Sequence, residues 1–199
     1  MMRPAAARID VLERRRGAAP VDEAALMSRI AADDRVAFDI LYRAYVRRLR
    51  LFLVRVTRRP ALVEDVLNDT MLVVWHKART YNATSKVSTW IFAIAYRKAL
   101  KALRPADNAI DVGVAANAGL FYSEPESALQ RLELRRQIGR ALTTLSADQR
   151  TVLRLVYYQG YACREIADIM GCPVDTVKTR MLYARRKLKA FLMTSPDVL

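Results

Sequence analysis

Residues Tyr161 to Lys189 read YACREIADIMGCPVDTVKTRMLYARRKLK, two short helical patterns broken at Gly171, the second ending in a basic run. Ala167, Gly171 and Val177 fall at the spacing of a helix-turn-helix. The first helix needs a small residue where the second crosses it, the turn needs a residue that tolerates positive φ, and the second helix needs an apolar anchor. Ile166 and Met170 fill the same small core. Pro173 suits a helix start, and Asp175 suits its positive dipole end. Val177, Met181, Ala184 and Leu188 then form the buried stripe. That leaves Thr176, Lys178, Thr179, Arg180, Tyr183, Arg185 and Arg186 to face outward, where Lys and Arg can read guanine edges or hold phosphate.

The charge of the whole chain agrees with that chemistry. Its 199 residues carry 34 Lys and Arg against 20 acids, a formal net charge of +14, which points to a polyanionic partner. Two cysteines, Cys163 and Cys172, and one histidine, His76, do not make a local zinc site, so neither metal nor cofactor is expected. No glycine-rich phosphate loop, nucleophile elbow or paired His-Glu motif is present, which argues against an enzyme. No apolar run reaches the roughly 18 residues of a membrane span, and the basic start lacks a signal peptide's apolar core. The expected location is the cytoplasm.

Upstream, nearly every patterned segment has a helical period, and the expected fold is all-α. Residues 1–21 read as a flexible basic tail, and Asp22 caps a short helix. Phe38, Leu41, Tyr42, Tyr45, Leu49, Phe52 and Val56 mark the apolar stripe of a long helix. Pro60 opens the next, which runs through Leu67 and Val74 to Trp75. The polar loop YNATSKVS spans Tyr81 to Ser88, and Ser88 is read as the cap of TWIFAIAYRKALKALR, which Pro105 stops. Residues 105–126 hold no Lys or Arg but contain Asp107, Asp111, Glu124 and Glu126: an acidic linker. Ser146 and Gln149 form a capping box before TVLRLVYYQ, which Gly160 closes. The expected organisation is two small helical domains, 22–104 and 127–199, joined by that flexible linker.

Taken together, these segments resemble the extracytoplasmic-function (ECF) sigma factors of bacterial RNA polymerase. Tyr161 to Lys189 resembles their domain 4, which reads the −35 promoter element. ALVEDVLNDTMLVVWHKARTYNATSKVSTWIFAIAYRKALKALR resembles their domain 2, which binds polymerase and opens the −10 element. The resemblance implies that Asp65, Asn68 and Asp69 face the polymerase's clamp helices, with the flap as a further contact. It implies that the loop from Tyr81 to Thr89 captures a flipped −10 base, using Tyr81, Asn82, Ser85, Lys86, Thr89 and Trp90. Arg97, Lys98 and Lys101 would then lie along upstream duplex phosphates, and an anti-sigma factor would cover the same surfaces. The chain departs from the family pattern in lacking an Arg-Gly pair before Thr89-Trp90, and in carrying Tyr183 where many members are basic. A conventional helix-turn-helix regulator that needs no polymerase, and a module binding nucleic acid by charge alone, are the rival readings. The helix 63–75, which resembles the family's clamp-binding helix, and the acidic linker argue against both.

Overall fold

The computed structural model describes residues 22–104 and 136–194. The expected tail, residues 1–21, and the expected linker, residues 105–126, lie outside the described residues. Among those described there are eight α-helices and no strand, in agreement with the all-α expectation.

Helix α1 (Glu23–Ala31) starts where Asp22 accepts hydrogen bonds from the Ala24 and Ala25 amides, both at 3.1 Å. Asp34 caps α2 (Arg35–Thr57) in the same way, at 2.9 Å from Val36 N and 3.0 Å from Ala37 N. The α2 stripe buries Leu41, Tyr45, Leu49, Phe52 and Leu53, and the helix ends at Arg58 in the left-handed region. Pro60 then opens a single 3-10 turn before α3 (Val63–Lys77), whose first turn carries Glu64 and Asp65 at the positive dipole end.

Helix α4 (Val87–Leu103) begins two residues earlier than the sequence reading places it. Lys86 is its N-cap residue, without a side-chain cap bond, so Ser88 lies inside the first turn and does not cap it. At the other end Arg104 takes an extended conformation (ψ 133°), as a residue before proline must. Six consecutive α4 residues, Ile91 to Tyr96, are buried. An amphipathic helix on a two-layer bundle would bury only one face. Here α2 and α3 cover one side and the helix-turn-helix covers another.

The helix over residues 136–143 (α5) leads to α6 (Ala147–Gln159), α7 (Cys163–Met170) and α8 (Val174–Thr194). Ser146 and Gln149 make the expected reciprocal capping box, and Gly160 caps α6 at φ +72°. Gly171 takes φ +64° between α7 and α8, so the turn of the helix-turn-helix is made where the spacing places it. Leu145, Leu153 and Ala184, with Leu142, Met181 and Leu188 beside them, tie α8 to α6.

The main core does not stop at the boundary between the two units. Val152, Leu155, Tyr161, Ile166, Ile169 and Val177 belong to the same buried cluster as Leu41, Leu67 and Ile91. Phe92 sits at the joint, 5.0 Å from the Phe52 ring and 5.5 Å from the Tyr161 ring. The helix-turn-helix is therefore docked on the α4 side of the first unit, and apolar burial is the main attraction across the seam.

Candidate nucleic-acid and polymerase interface

Three surfaces carry the residues that the sequence singles out. The first is the outer face of α3. Asp65, Asn68 and Asp69 are all exposed, while Val66, Leu67, Thr70 and Met71 between and beyond them are buried. Leu72 lies on the same face, 53% exposed. An apolar side chain held in water among polar groups is what a docking face provides, and periodicity alone could not separate it from the core positions on either side. The acids are not all open to a partner. Lys98 reaches from α4 to within 3.0 Å of the Asp69 carboxylate, and Arg50 makes a two-pronged pair with Glu64 at 2.7 and 3.0 Å.

The second surface is the loop 81–86 and the cleft behind it. The Tyr81 hydroxyl donates to the Ser85 carbonyl at 2.6 Å, closing the loop, and its ring tilts against Trp90 at 5.6 Å. The Asn82 side-chain oxygen accepts from the Thr84 hydroxyl at 2.8 Å, and Ala83 takes φ +55° to complete the bend. The loop is thus shaped before any ligand arrives. Thr89 is a correction: it is 1% exposed, and its hydroxyl, buried beneath the loop, makes no hydrogen bond among the described residues. Its position in the first turns of α4 turns it toward the core and away from a ligand.

Behind the loop, Trp90, Arg97, Lys98 and Lys101 line an open cleft of about 560 Å³ between α3 and α4. Val73, Lys77, Thr80 and Ile94 complete it. Lys77 and Thr80 are additions to the sequence reading. They come from the end of α3 and the turn after it, and only the crossing of α3 with α4 brings them to this wall. Four cations around a half-buried indole suit a phosphate chain carrying an unstacked base.

The third surface is α8. Lys178, Thr179, Tyr183, Arg185 and Arg186 are exposed, Thr176 is half-buried, and Val177 and Ala184 are fully buried. Asp175 lies 3.0 Å from the Lys178 ammonium one turn back, and this hydrogen bond raises the lysine's pKa above its ordinary value. Arg185 lies over the exposed Tyr157 ring at 5.9 Å. Arg180 is a second correction. Its guanidinium turns inward, 2.5 Å from Asp148 on α6 and 3.5 Å from the Cys172 sulfur, because its place on the helix faces the α6 flank.

Polar contacts cross the seam between the loop-bearing unit and the helix-turn-helix. Lys86 lies 3.0 Å from Glu165, Arg48 donates to Gln159 at 3.3 Å, and Arg154 donates to the Arg55 carbonyl. Tyr96 is 3.5 Å from Asp148, the same carboxylate that holds Arg180. Burial, then the Asp148 charge, pushes the Tyr96 phenol up to about 12.

An all-helical chain with an exposed acidic helix face, a cationic cleft and a helix-turn-helix matches the organisation expected of a promoter-specificity subunit of RNA polymerase. The Sigma-70 region 2 family model matches residues 41–108, and the Sigma-70, region 4 model matches residues 135–188. The ECF RNA polymerase sigma factor SigL of Mycobacterium tuberculosis is 31% identical over 173 residues, covering 84% of this chain and 96% of its own length. The RNA polymerase sigma-H factor of Pseudomonas aeruginosa is 27% identical over 176 residues, covering 82% of this chain and 90% of its own. This chain belongs to the ECF RNA polymerase sigma factors. Among solved structures, the sigma factor RpoE in complex with the anti-sigma factor NepR from Bartonella quintana superposes with a TM-score of 0.63 at 25% identity, covering 79% of this chain and 98% of that one. CnrH in complex with the cytosolic domain of CnrY shares the fold, with a TM-score of 0.62 at 24% identity over 87% of this chain and 98% of its own. Membership in a sigma family sets aside both rival readings. Among the described residues no helix is long and apolar enough to cross a membrane.

Proposed function

We propose that the chain docks on core RNA polymerase through Asp65, Asn68, Asp69 and Leu72 of α3, and places two separate DNA-reading surfaces on a promoter. On this reading the clamp helices supply the basic partner for the α3 acids, and the flap meets the helix-turn-helix unit. Tyr81, Asn82, Ser85 and Lys86 receive a base unstacked from the −10 element, with Trp90 as the apolar wall. Lys77, Arg97, Lys98 and Lys101 hold the phosphates that flank it. Lys178 and Thr179 read −35 base edges, while Arg185 and Arg186 position α8 on the backbone. The chain carries out no catalysis of its own.

The single observation that carries this reading is the cleft, in which four cations and an indole converge beside an already folded loop. Unstacking a base costs a few kcal/mol, and a preformed pocket offsets that cost without also having to order itself. In the packed arrangement Lys86 is engaged by Glu165; on this reading that pair opens, and the two units part, when the −10 base enters. An anti-sigma partner would hold them in a form that cannot bind the promoter.

The test is open-complex formation on a −10 fragment melted in advance. Core polymerase with the wild-type chain should retain the fragment, and the Trp90→Ala, Lys101→Ala double variant should lose it while still co-purifying with core enzyme. Equal retention by both would remove the cleft from the account.

A further inference from the structure

Four arginines meet where the end of α2 faces α6, and the functional reading above uses none of them. Arg55 and Arg58 come from the last turn and cap of α2, and Arg150 and Arg154 lie one turn apart on α6. The Arg154 guanidinium donates to the Arg55 carbonyl across the seam. Arg150 donates to the Leu145 carbonyl at 2.7 Å and to the Leu142 carbonyl at 3.4 Å. Arg55 lies over the Tyr158 ring at 4.5 Å. None of the four takes part in an ion pair among the described residues, although the other arginines of the first unit repeatedly find acids, as Arg29, Arg43, Arg50 and Arg79 do.

Helix carbonyls account for part of the cluster only. A guanidinium has five N–H donors, and the Arg55, Leu142 and Leu145 carbonyls engage only one or two of those on Arg154 and Arg150, which leaves the others open to solvent or a further partner. The charges also act on one another. Burial, then Arg55, Arg150 and Arg58, bring Arg154 down to about 10, and burial with Arg58 lowers Arg150. Guanidiniums keep their charge in proteins, so among the described residues this part of the seam concentrates positive charge with no acid paired to it.

We propose that the cluster formed by Arg55, Arg58, Arg150 and Arg154 binds a compact multivalent phosphate anion, which bridges α2 and α6 and holds the two units in the packed arrangement. Planar guanidiniums arriving from two helices match the paired oxygens of a phosphate group. Arg150 and Arg154 are half-buried and turned toward backbone carbonyls, so a small anion reaches all four while a duplex backbone reaches only the rim.

The experiment uses the full chain with pyrophosphate as the probe, followed by thermal melting and small-angle scattering at matched ionic strength. Pyrophosphate should raise the melting temperature and keep the particle compact at concentrations where chloride does neither. Arg58→Gln, on an exposed cap that supports no core contact, should weaken the pyrophosphate effect about tenfold, the loss of one charge-assisted contact. Arg154→Gln should weaken it at least as much. The proposal fails if chloride at equal ionic strength gives the same shift, or if Arg58→Gln and Arg154→Gln respond like wild type. It fails equally if a duplex of unrelated sequence displaces pyrophosphate from the wild-type arginine cluster and loses affinity in the same variants, since the site would then belong to a nucleic-acid backbone.

Discussion

Lys86, the last residue of the 81–86 loop, lies 3.0 Å from Glu165 on the first helix of the helix-turn-helix. Residues 79 positions apart in the chain thus join the two DNA-reading units in the free protein. The pair marks the seam but does not hold it. The Lys86 side chain is 74% exposed and that of Glu165 18%, and a pair open to water at its lysine end contributes on the order of 1 kcal/mol. Phe92 and Tyr161, both buried, carry the attraction.

The first prediction follows from that ranking. Tyr161→Ala should destabilise the packing by about 3 kcal/mol or more, and scattering should register an expanded particle whose helical circular dichroism is unchanged. Glu165→Gln should leave the particle compact. If Glu165→Gln expands it as much as Tyr161→Ala does, the charge pair and not the apolar contact holds the seam.

A second prediction concerns α3. Replacing Asp65, Asn68 and Asp69 together by Ala should abolish co-purification with core polymerase while leaving the melting curve close to wild type, because all three are exposed. Leu72→Asp alone should have the same effect. Retention of core enzyme at wild-type yield by both variants would move the docking face elsewhere.

The third prediction separates two kinds of contact on α8. Lys178→Ala should cost about ten- to a hundredfold in affinity on the matched −35 sequence and relax preference at one base pair. Arg186→Ala should weaken all sequences alike and lower the salt slope by roughly one unit. Binding to matched and mismatched −35 duplexes at two salt concentrations decides between them. Uniform loss by both would make Lys178 a phosphate contact.

Gly171 supplies the fourth. A Cβ built there meets no heavy atom within 4 Å, so space is not the constraint. Its φ of +64° is, and Gly171→Ala should cost about 1–2 kcal/mol through conformation alone. Chemical denaturation measures it, and an unchanged midpoint would mean that the turn adopts another conformation in solution.

What could be read from the residues was the local part. The capping box of Ser146 and Gln149, the Gly160 and Gly171 caps and the buried stripe through Val177 and Ala184 depend on neighbours within a turn or two. Ser88 misled because Ser at the head of an apolar run reads as a cap, whereas the helix already starts at Val87, with Lys86 as its N-cap residue. Arg180 misled because it lies at the edge of the exposed face, and whether it turns out or in depends on Asp148 of another helix. Thr89 was drawn into the binding loop by its place before Trp90, and the packing of α4 turns it inward. Least legible was the seam. Periodicity marks Phe92 and Tyr161 as apolar but does not say that they pack on each other, and it could not foresee Lys77 beside Lys101 or Arg154 beside Arg55.

The most direct measurement is transcription by core polymerase from a randomised promoter library, with and without the purified chain. The account predicts that the chain and core enzyme together initiate behind one shared pair of −35 and −10 sequences, and that the chain without core enzyme binds those duplexes only weakly. Initiation no different from core enzyme alone, with tight site-specific duplex binding by the isolated chain, would contradict it.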